Sequence, residues 1–199
     1  MATKGTDQKI LEAAKKIFIL KGYAGARMQE IADEANINKS MLHYYYKSKD
    51  VLFSKIMEQA IVLLAPKFIE AISGDFSVIE KLQRLVVTYI NTISKHPHIP
   101  LFMLHELSQN RVHLSSKLKK HMKTPLENFA EEIKQEQKKG IIKKVPVNQL
   151  ILTVMSLIVF PFVAEPIFKN VLEISEKTYR KMMMERKEIV LDLLKTNLL

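Results

Sequence analysis

One segment constrains the fold of this chain more than any other: Met28–Lys49, which reads MQEIADEANINKSMLHYYYKSK. Ile31, Ala32 and Ala35 recur at helical spacing and mark the apolar face of a short helix. Asn36 then interrupts this pattern. A turn between two crossing helices often needs a residue with a positive φ, which asparagine tolerates better than most residues other than glycine. The segment therefore predicts a first short helix that ends in a tight turn.

A second short helix is predicted after the turn, over residues 39–46. Asn38 is a suitable N-cap, because its side-chain oxygen accepts a hydrogen bond from a free backbone N–H of the first turn. Leu42 and Tyr46 stand four residues apart and are expected to face inward. The other side chains of this helix then face outward or sideways. Two short helices joined in this way form a helix-turn-helix, whose second helix can enter the major groove of DNA.

The wider segment 10–53 resembles the N-terminal DNA-binding domain of the tetracycline-repressor (TetR/AcrR) family. The resemblance is carried by a set of positions in a first helix and in the helix-turn-helix that occur together at the family's offsets: Ile10, Ala13, Ala14, Phe18, Gly22, Tyr23, Ile31, Ala32, Ile37, Leu42, Tyr46, Ser48 and Lys49. The sequence departs from the family at Asn36, which replaces a glycine, and at His43, which replaces a tyrosine.

The resemblance implies an all-α fold in two parts. Residues 1–48 are expected to form a three-helix DNA-binding domain that contains the helix-turn-helix. Residues 49–199 are expected to form a larger helical domain for effector binding and dimerisation. The helical spacing of apolar residues through the rest of the chain, with five glycines and seven prolines in 199 residues, agrees with a mostly helical protein.

DNA binding needs phosphate contacts for affinity and base contacts for specificity. Lys49 is predicted to contact a phosphate, because it stands at a helix N-terminus where free backbone amides face the same anion. The first residues of the second short helix are expected nearest to the base edges. His43 is ambiguous between a donor to DNA and a histidine of the core. The complete predicted set is Arg27, Met28, Gln29, Lys39, Ser40, Met41, His43, Tyr44, Tyr45 and Lys49.

Alternatives stay open for some of these residues. Arg27 contacts DNA or is an ordinary surface arginine. Tyr44 and Tyr45 offer a hydroxyl to phosphate and a ring to thymine methyl groups, but one of them is expected to pack against the first helix. Because Met41 and His43 depart from the family's pattern on the face that would read bases, the operator of a relative cannot be transferred to this chain.

Residues 145–164 carry no charged side chain. About 20 apolar residues span a bilayer, but polar residues and Pro161 dilute this segment, so that a helix buried in a core or an oligomer interface is favoured over a membrane span. The resemblance implies that the last two helices, 147–168 and 175–197, form the four-helix bundle of a homodimer. Such a dimer reads a near-palindromic double-stranded operator.

The resemblance also implies that the body binds a small-molecule effector, which releases DNA by changing the spacing of the two DNA-binding domains. The side chains predicted to line a pocket are aromatic residues and methionines, which suit an adaptable apolar site. They are Phe68, Tyr89, Phe102, Met103, Met122, Phe129, Met155 and Phe160. The alternative is an ordinary core, because aromatic and methionine residues at helical spacing are usually core residues.

Charge and composition limit the other classes of function. The net charge of +10 and the pI of about 9.6 indicate a polyanionic partner, although residues 1–54, with nine basic and six acidic residues, hold only +3 of it. The absence of cysteine excludes disulfides and thiolate sites. Five histidines, at 96, 98, 105, 113 and 121, lack the spacing of a metal site. No cofactor motif is recognisable, and the N-terminus lacks a secretory h-region.

The sequence as a whole therefore predicts a cytoplasmic, dimeric, ligand-responsive transcriptional regulator, most consistent with a repressor and not an enzyme. The alternative within the binding class is a DNA-binding architectural or activating protein without a small-molecule effector. The alternative from another class is a helical enzyme with a degenerate DNA-binding domain.

Overall fold

The fold is built from helices alone within the part of the chain that the structure describes. A computed structural model describes residues 2–109 and 111–198, and the side chains of residues 2–4, 111–115 and 117 are outside the description. The helices are α1 Ala2–Gly25, α2 Met28–Glu34, α3 Lys39–Tyr45, α4 Lys49–Ile72, α5 Val78–Ile93, α6 Ile99–Gln109, α7 Arg111–Lys138, α8 Val147–Val163, α9 Glu165–Val171 and α10 Glu176–Leu198. The predicted all-α fold class is confirmed.

The chain divides into two compact units inside α4. The N-terminal unit ends at Ile61 and the C-terminal unit begins at Val62. This boundary between the two compact units lies within α4. The boundary that the sequence predicted between the DNA-binding domain and the effector-binding domain precedes Lys49. The functional assignment of the two parts to residues 1–48 and 49–199 stays a prediction.

The N-terminal unit has an aromatic and aliphatic core. The rings of Phe18 and Phe53 meet edge to face with their centroids 5.1 Å apart, and Tyr23 stacks on Phe18 at 5.9 Å. Ile31 and Leu42 contribute fully buried side chains from α2 and α3. Burying a side chain of this size stabilises a fold by about 1.5–3 kcal/mol, so this core fixes the short helices that could not form stably alone.

Helix α5 is the central element of the C-terminal unit, and it packs against α7, α8 and α10. Its start is a capping box, in which Ser77 Oγ accepts from the backbone N–H of Glu80 and a Glu80 carboxylate oxygen accepts from the N–H of Ser77. Leu82, Val86 and Ile90 recur on its buried face. The strong amphipathic pattern explains why α5 can occupy the centre of the unit.

The sequence predicted one helix over 147–168, and this is wrong. The structure ends α8 at Val163 and begins α9 at Glu165, with a bend of 53° between them. Pro166 explains the break, because a proline lacks an N–H donor and its ring clashes with the carbonyl four residues earlier in a continuous helix. No single helix in the described part of the chain meets the length and hydropathy expected of a membrane span, and only this bent pair does so jointly.

Candidate nucleic-acid interface

The turn between α2 and α3 has the geometry that the sequence predicts. Asn36 has a φ of 59°, in the left-handed region. The side-chain oxygen of Asn38 accepts from the backbone N–H of Met41 at 2.7 Å and caps α3. Beneath the helix, Leu42 is fully buried and Tyr46 is 6% exposed. These contacts fix α3 from one side and leave its opposite side open.

We expect the conformation at Asn36 to limit which residues can replace it. Asn36→Val should lower the stability of the N-terminal unit by about 1–2 kcal/mol, because the branched Cβ is strained at positive φ. For a unit of this size, such a loss lowers the melting temperature by roughly 5–10 °C. Asn36→Gly is the matched control and should melt close to the wild type. Thermal unfolding followed by circular dichroism tests this, and equal melting of the two variants would contradict it.

The open side of α3 holds most of the residues predicted to contact DNA. Five of them are exposed: Lys39, Ser40, Met41, His43 and Tyr44. Among the large apolar side chains that the structure describes, that of Tyr44 is the most exposed, at 85%. Tyr45 is half-buried, and its ring meets that of Tyr44 edge to face at 5.7 Å. Tyr45 is therefore the tyrosine that packs inward, whereas Tyr44 projects from the surface.

The structure resolves the ambiguity of His43. Its side chain is exposed, so the alternative of a core histidine is wrong. Its Nδ1 lies 3.3 Å from the backbone oxygen of Lys47. If Nδ1 donates to this carbonyl, the neutral ring presents Nε2 as an acceptor, and protonation converts Nε2 into a donor. The exposed imidazole of His43 is thus on the same face of α3 as Lys39.

Two lysines of α1 pair with two of the three acidic side chains of α2. Lys16 Nζ is 2.6 Å from a carboxylate oxygen of Glu34, and Lys21 Nζ is 2.9 Å from Glu30. The hydrogen bond from Lys21, assisted by the N–H of Arg27, lowers the pKa of Glu30 below its ordinary value. Residues 35–49 contain three lysines and no acidic residue. The segment 35–49, which contains α3, therefore carries a net positive charge.

The residues that precede and open α2 are less free than those of α3. Arg27 is exposed and serves as the N-cap, with its backbone N–H bound to Glu30. This hydrogen bond supplies a capping contact that the sequence, lacking a small hydroxyl residue here, did not predict. Met28 is half-buried. Gln29 is exposed, but its amide nitrogen donates to Asp33 at 2.8 Å.

Lys49 occupies the N-terminus of α4, as predicted, but its ammonium group is largely engaged within the unit. Its Nζ donates to the backbone oxygens of Tyr23 at 2.8 Å and Ala26 at 3.1 Å, and it lies 4.4 Å from the centroid of the Tyr23 ring. Two of its three N–H donors are thus bound. The hydroxyl of Tyr23 donates in turn to Asp50. Lys49 therefore fastens the end of α1 to the start of α4.

A second long-range contact, between Tyr46 and Asp7, fixes the end of α3 to α1. The hydroxyl of Tyr46, which follows α3, donates to a carboxylate oxygen of Asp7 in α1 at 2.6 Å. Burial, and then this hydrogen bond, raise the pKa of Tyr46 above its ordinary range, so the phenol stays a neutral donor. Sequence reasoning missed this pair. The signal was available, since an inward tyrosine needs a partner for its hydroxyl, but the partner stands 39 residues away.

The C-terminal unit contains an apolar cavity of about 70 Å³ between α4, α5, α7 and α8. It is lined by Phe68, Ile72, Leu82, Leu85, Tyr89, Met122, Leu126, Phe129, Ile151, Val154 and Met155. Five of the eight predicted pocket residues are in this list: Phe68, Tyr89, Met122, Phe129 and Met155. The other three lie elsewhere: Phe102 is buried in α6, Met103 is half-buried in α6, and Phe160 is exposed on α8.

The described side chains offer no group of three or more histidine, aspartate or glutamate residues that could hold a metal ion. Of the five histidines considered in the sequence, His113 has a side chain outside the described residues. His96 and His98 have their ring centroids 6.3 Å apart, in an edge-to-face contact.

Two family descriptions match this sequence. The family described as "Bacterial regulatory proteins, tetR family" matches residues 10–56. The family described as "Tetracyclin repressor-like, C-terminal domain" matches residues 79–193, which is more than half of the chain. The chain belongs to the TetR family of bacterial regulatory proteins. As a TetR-family member it is a DNA-binding transcriptional regulator, and the alternative of a helical enzyme is wrong.

Relatives of this TetR-family regulator align over most of its length or over about a third of it. The probable HTH-type transcriptional regulator YttP of Bacillus subtilis (strain 168) is 24% identical over 189 residues, which covers 92% of this chain and 91% of the relative. The HTH-type transcriptional repressor SCO4008 of Streptomyces coelicolor is 40% identical over 62 residues, 31% of this chain and 32% of the relative. The crystal structure of the hemolysin II transcriptional regulator HlyIIR is 28% identical, with a TM-score of 0.62 over 85% of this chain and 94% of that chain.

Proposed function

We propose that this protein is a repressor that binds a near-palindromic operator as a homodimer and is released by a small apolar or amphipathic effector. The observation that carries the proposal is the exposed, positively charged face of α3, which Leu42 and Tyr46 hold in place from beneath. The similarity to a Streptomyces coelicolor protein named as a transcriptional repressor supports the sign of regulation. We propose that the protein is cytoplasmic, because the operator that it binds is in the cytoplasm.

The DNA contacts divide into base reading and backbone positioning. Lys39, Ser40 and Met41 open α3 and are assigned to base edges, where lysine donates to guanine and methionine makes apolar contacts. His43 and Tyr44 extend this surface along the helix. Arg27, Met28, Gln29 and Tyr45 flank it. The remaining N–H donor of Lys49 and the free backbone amides at the N-terminus of α4 are assigned to one phosphate.

The homodimer is assigned to the C-terminal helices. Leu152 and Phe160 on α8 are 60% and 58% exposed, and Ile189 and Leu193 on α10 are 54% and 43% exposed. Leu152, Ser156 and Phe160 are spaced four residues apart, as are Ile189 and Leu193, so each set forms one stripe. Large exposed apolar stripes of this kind mark interaction surfaces. The two helices are linked within the chain by Arg186, whose Nε donates to the backbone oxygen of Leu157 at 2.7 Å.

The effector is assigned to the apolar cavity of the C-terminal unit. Its wall includes Met122 and Met155, whose unbranched side chains adapt readily to a ligand. Phe102, Met103 and Phe160 are assigned only to contacts with a ligand that extends beyond this cavity. A ligand that binds one conformation of this unit better than another shifts the equilibrium between them, and this couples the cavity to DNA affinity.

The proposal is tested by selecting bound sequences from a random double-stranded pool at fixed moderate salt. We expect a near-palindrome for the wild type. Lys39→Gln should relax the preference at one base of each half-site by about 1–3 kcal/mol. Lys49→Gln should weaken all sequences alike and reduce the magnitude of the salt slope by about 1. Melting curves of both variants separate DNA contacts from loss of folding.

Lys55→Gln is the matched control, since it removes one charge from the same unit at a lysine paired with Glu58. It should leave the selected sequence and the salt slope unchanged. Recovery of unselective, salt-dependent binding would contradict the operator-reading proposal. A palindrome that no compound releases would instead favour a DNA-binding architectural or activating protein without an effector.

A further inference from the structure

We propose that the ligand of the body cavity is an anionic amphiphile, with an apolar chain inside the cavity and an acidic head group held at its mouth by Lys119. This inference rests on the effector site proposed above and names the chemistry of its ligand. It combines the composition of the cavity wall, the position of its opening and the charge around that opening.

The wall of the cavity accepts only an apolar group. All of the surface that lines it belongs to carbon and sulfur atoms, and no charged side chain contributes to it. A buried charge or an unpaired polar group would lose its hydration here without gaining a partner. The cavity of about 70 Å³ holds only a few carbon atoms as it stands, so longer chains enter as the two methionines of the wall change rotamer.

The cavity opens on the side of Leu126 and Met155. These two residues are 37% and 36% exposed, whereas Phe129, Leu82 and Val154 at the closed end are at most 2% exposed. Met122, one turn from Leu126 toward Lys119, is half-buried, so Leu126 and Met155 mark the open end of the cavity. A polar head group attached to a buried chain lies at this end.

Lys119 is one turn of α7 beyond the lining residue Met122 and two turns beyond Leu126 at the opening. Residues 119, 122, 126 and 129 recur at spacings of three and four, so Lys119 continues the α7 face that carries the lining residues Met122 and Leu126. Its side chain is exposed, and among the described side chains no carboxylate pairs with it. Lys123, the next lysine on the helix, is already near Glu127 at 3.7 Å.

The wider charge pattern has the same sign. No acidic residue occurs between Glu106 and Glu127, while this stretch contains five lysine and arginine residues. Helix α8, which forms the opposite wall, has no charged residue at all. The carboxylate of Glu127, which follows Leu126 on α7, is already near Lys123. An anionic head group at the mouth can therefore pair with Lys119, whereas an ammonium head group meets a like charge there.

The test is a matched ligand series measured by calorimetry and thermal shift on the full-length protein at low salt. The three probes share one chain length: octanoate, octan-1-ol and octylammonium. We expect octanoate to bind roughly 1.5-fold to fivefold more tightly than octan-1-ol, the range of a partly exposed ion pair, and octylammonium to bind most weakly. Lys119→Gln should abolish the preference for octanoate over octan-1-ol.

Two further variants separate the possible failures. Lys120→Gln removes the same charge one residue along, about 100° around the helix, and should keep the preference. Leu126→Trp narrows the opening at a partly exposed position and should weaken all three ligands. Equal binding of octanoate and octan-1-ol, or tightest binding of octylammonium, would overturn the anionic class while leaving the effector site in place. Absence of binding by all three would overturn the effector site as well.

Discussion

Glu132→Gln is expected to lower the free energy of unfolding by about 2–4 kcal/mol, whereas Lys81→Met should change it by less than about 1 kcal/mol. Lys81 on α5 is 2% exposed, and its Nζ donates to a carboxylate oxygen of Glu132 on α7 at 2.5 Å. Removing the glutamate leaves an uncompensated charge in the interior. Removing the lysine exchanges that charge for an apolar side chain of similar shape and leaves a carboxylate that is 41% exposed to water.

Denaturant unfolding of the two variants and of the double variant tests this asymmetry. The double variant should resemble Lys81→Met, since Glu132 matters only while Lys81 is charged. The neighbouring exposed pair Lys134 and Glu131, at 3.1 Å, is the control, and its removal should cost less than about 1 kcal/mol. A larger loss for Lys81→Met than for Glu132→Gln would show that the lysine stabilises the unit through packing and not through charge.

The buried ion pair also bears on how the effector cavity responds to a ligand. Lys81 is adjacent to the lining residue Leu82 in sequence, and Glu132 follows the lining residue Phe129 by three positions. The pair therefore fastens α5 to α7 near the closed end of the cavity. Glu136, one turn further along α7, accepts from the backbone N–H of Val78 at 2.9 Å and adds a second link. The two links between α5 and α7 hold the closed end of the cavity. We therefore expect the wall to move mainly at its open end when a ligand binds.

Local chemistry made the helix-turn-helix predictable. The positive φ of Asn36, the cap at Asn38 and the inward pair Leu42 and Tyr46 each depend on residues within one or two turns of one another. Ser48 caps α4 by the same local chemistry, since its hydroxyl accepts from the N–H of Val51 at 3.3 Å. Contacts of this range follow from propensity and spacing, so a single sequence is sufficient to anticipate them.

Contacts between distant elements were not predictable in the same way. The bond from Tyr46 to Asp7 and the pair of Lys81 and Glu132 join residues 39 and 51 positions apart. Their chemistry is visible in the sequence, but their proximity is set by how the helices pack. The cavity illustrates the same limit: aromatic and methionine residues were correctly placed in the C-terminal unit, yet packing decided that Phe160 faces outward while Phe129 is buried.

The uncharged segment 145–164 led to the prediction of a dimer interface, and the structure adds which of its side chains a single chain leaves exposed. The sequence indicated a helix covered on all sides. Within one chain, α8 buries Leu150, Val154 and Ile158, and leaves Leu152 and Phe160 exposed. The exposed side is the part for which a second subunit is proposed. The cavity-lining residues of α8 are Ile151, Val154 and Met155, and Met155 borders the exposed stripe because it is three residues from Leu152.

Ile189→Asp is expected to convert the proposed dimer into a monomer and to weaken operator binding by roughly 100-fold or more, since two linked DNA-binding domains gain about 10²–10⁴ in avidity over one. The side chain of Ile189 is 54% exposed in the single chain. A charge there costs little in the folding of one subunit, but it would be buried without a partner at a subunit interface. Phe160→Asp on α8 should have the same effect.

Ile141→Asp is the control for this experiment, because Ile141 is exposed to a similar extent, 51%, in the turn that follows α7. It introduces the same charge change on the same residue type outside the proposed interface. Sedimentation velocity gives the assembly state, and titration of the selected operator gives the affinity. If Ile189→Asp and Phe160→Asp both remain dimeric, the interface lies elsewhere, and the exposed stripes of α8 and α10 need another partner. If they become monomeric yet bind the full operator as tightly as the wild type, dimerisation is not what gives the regulator its affinity.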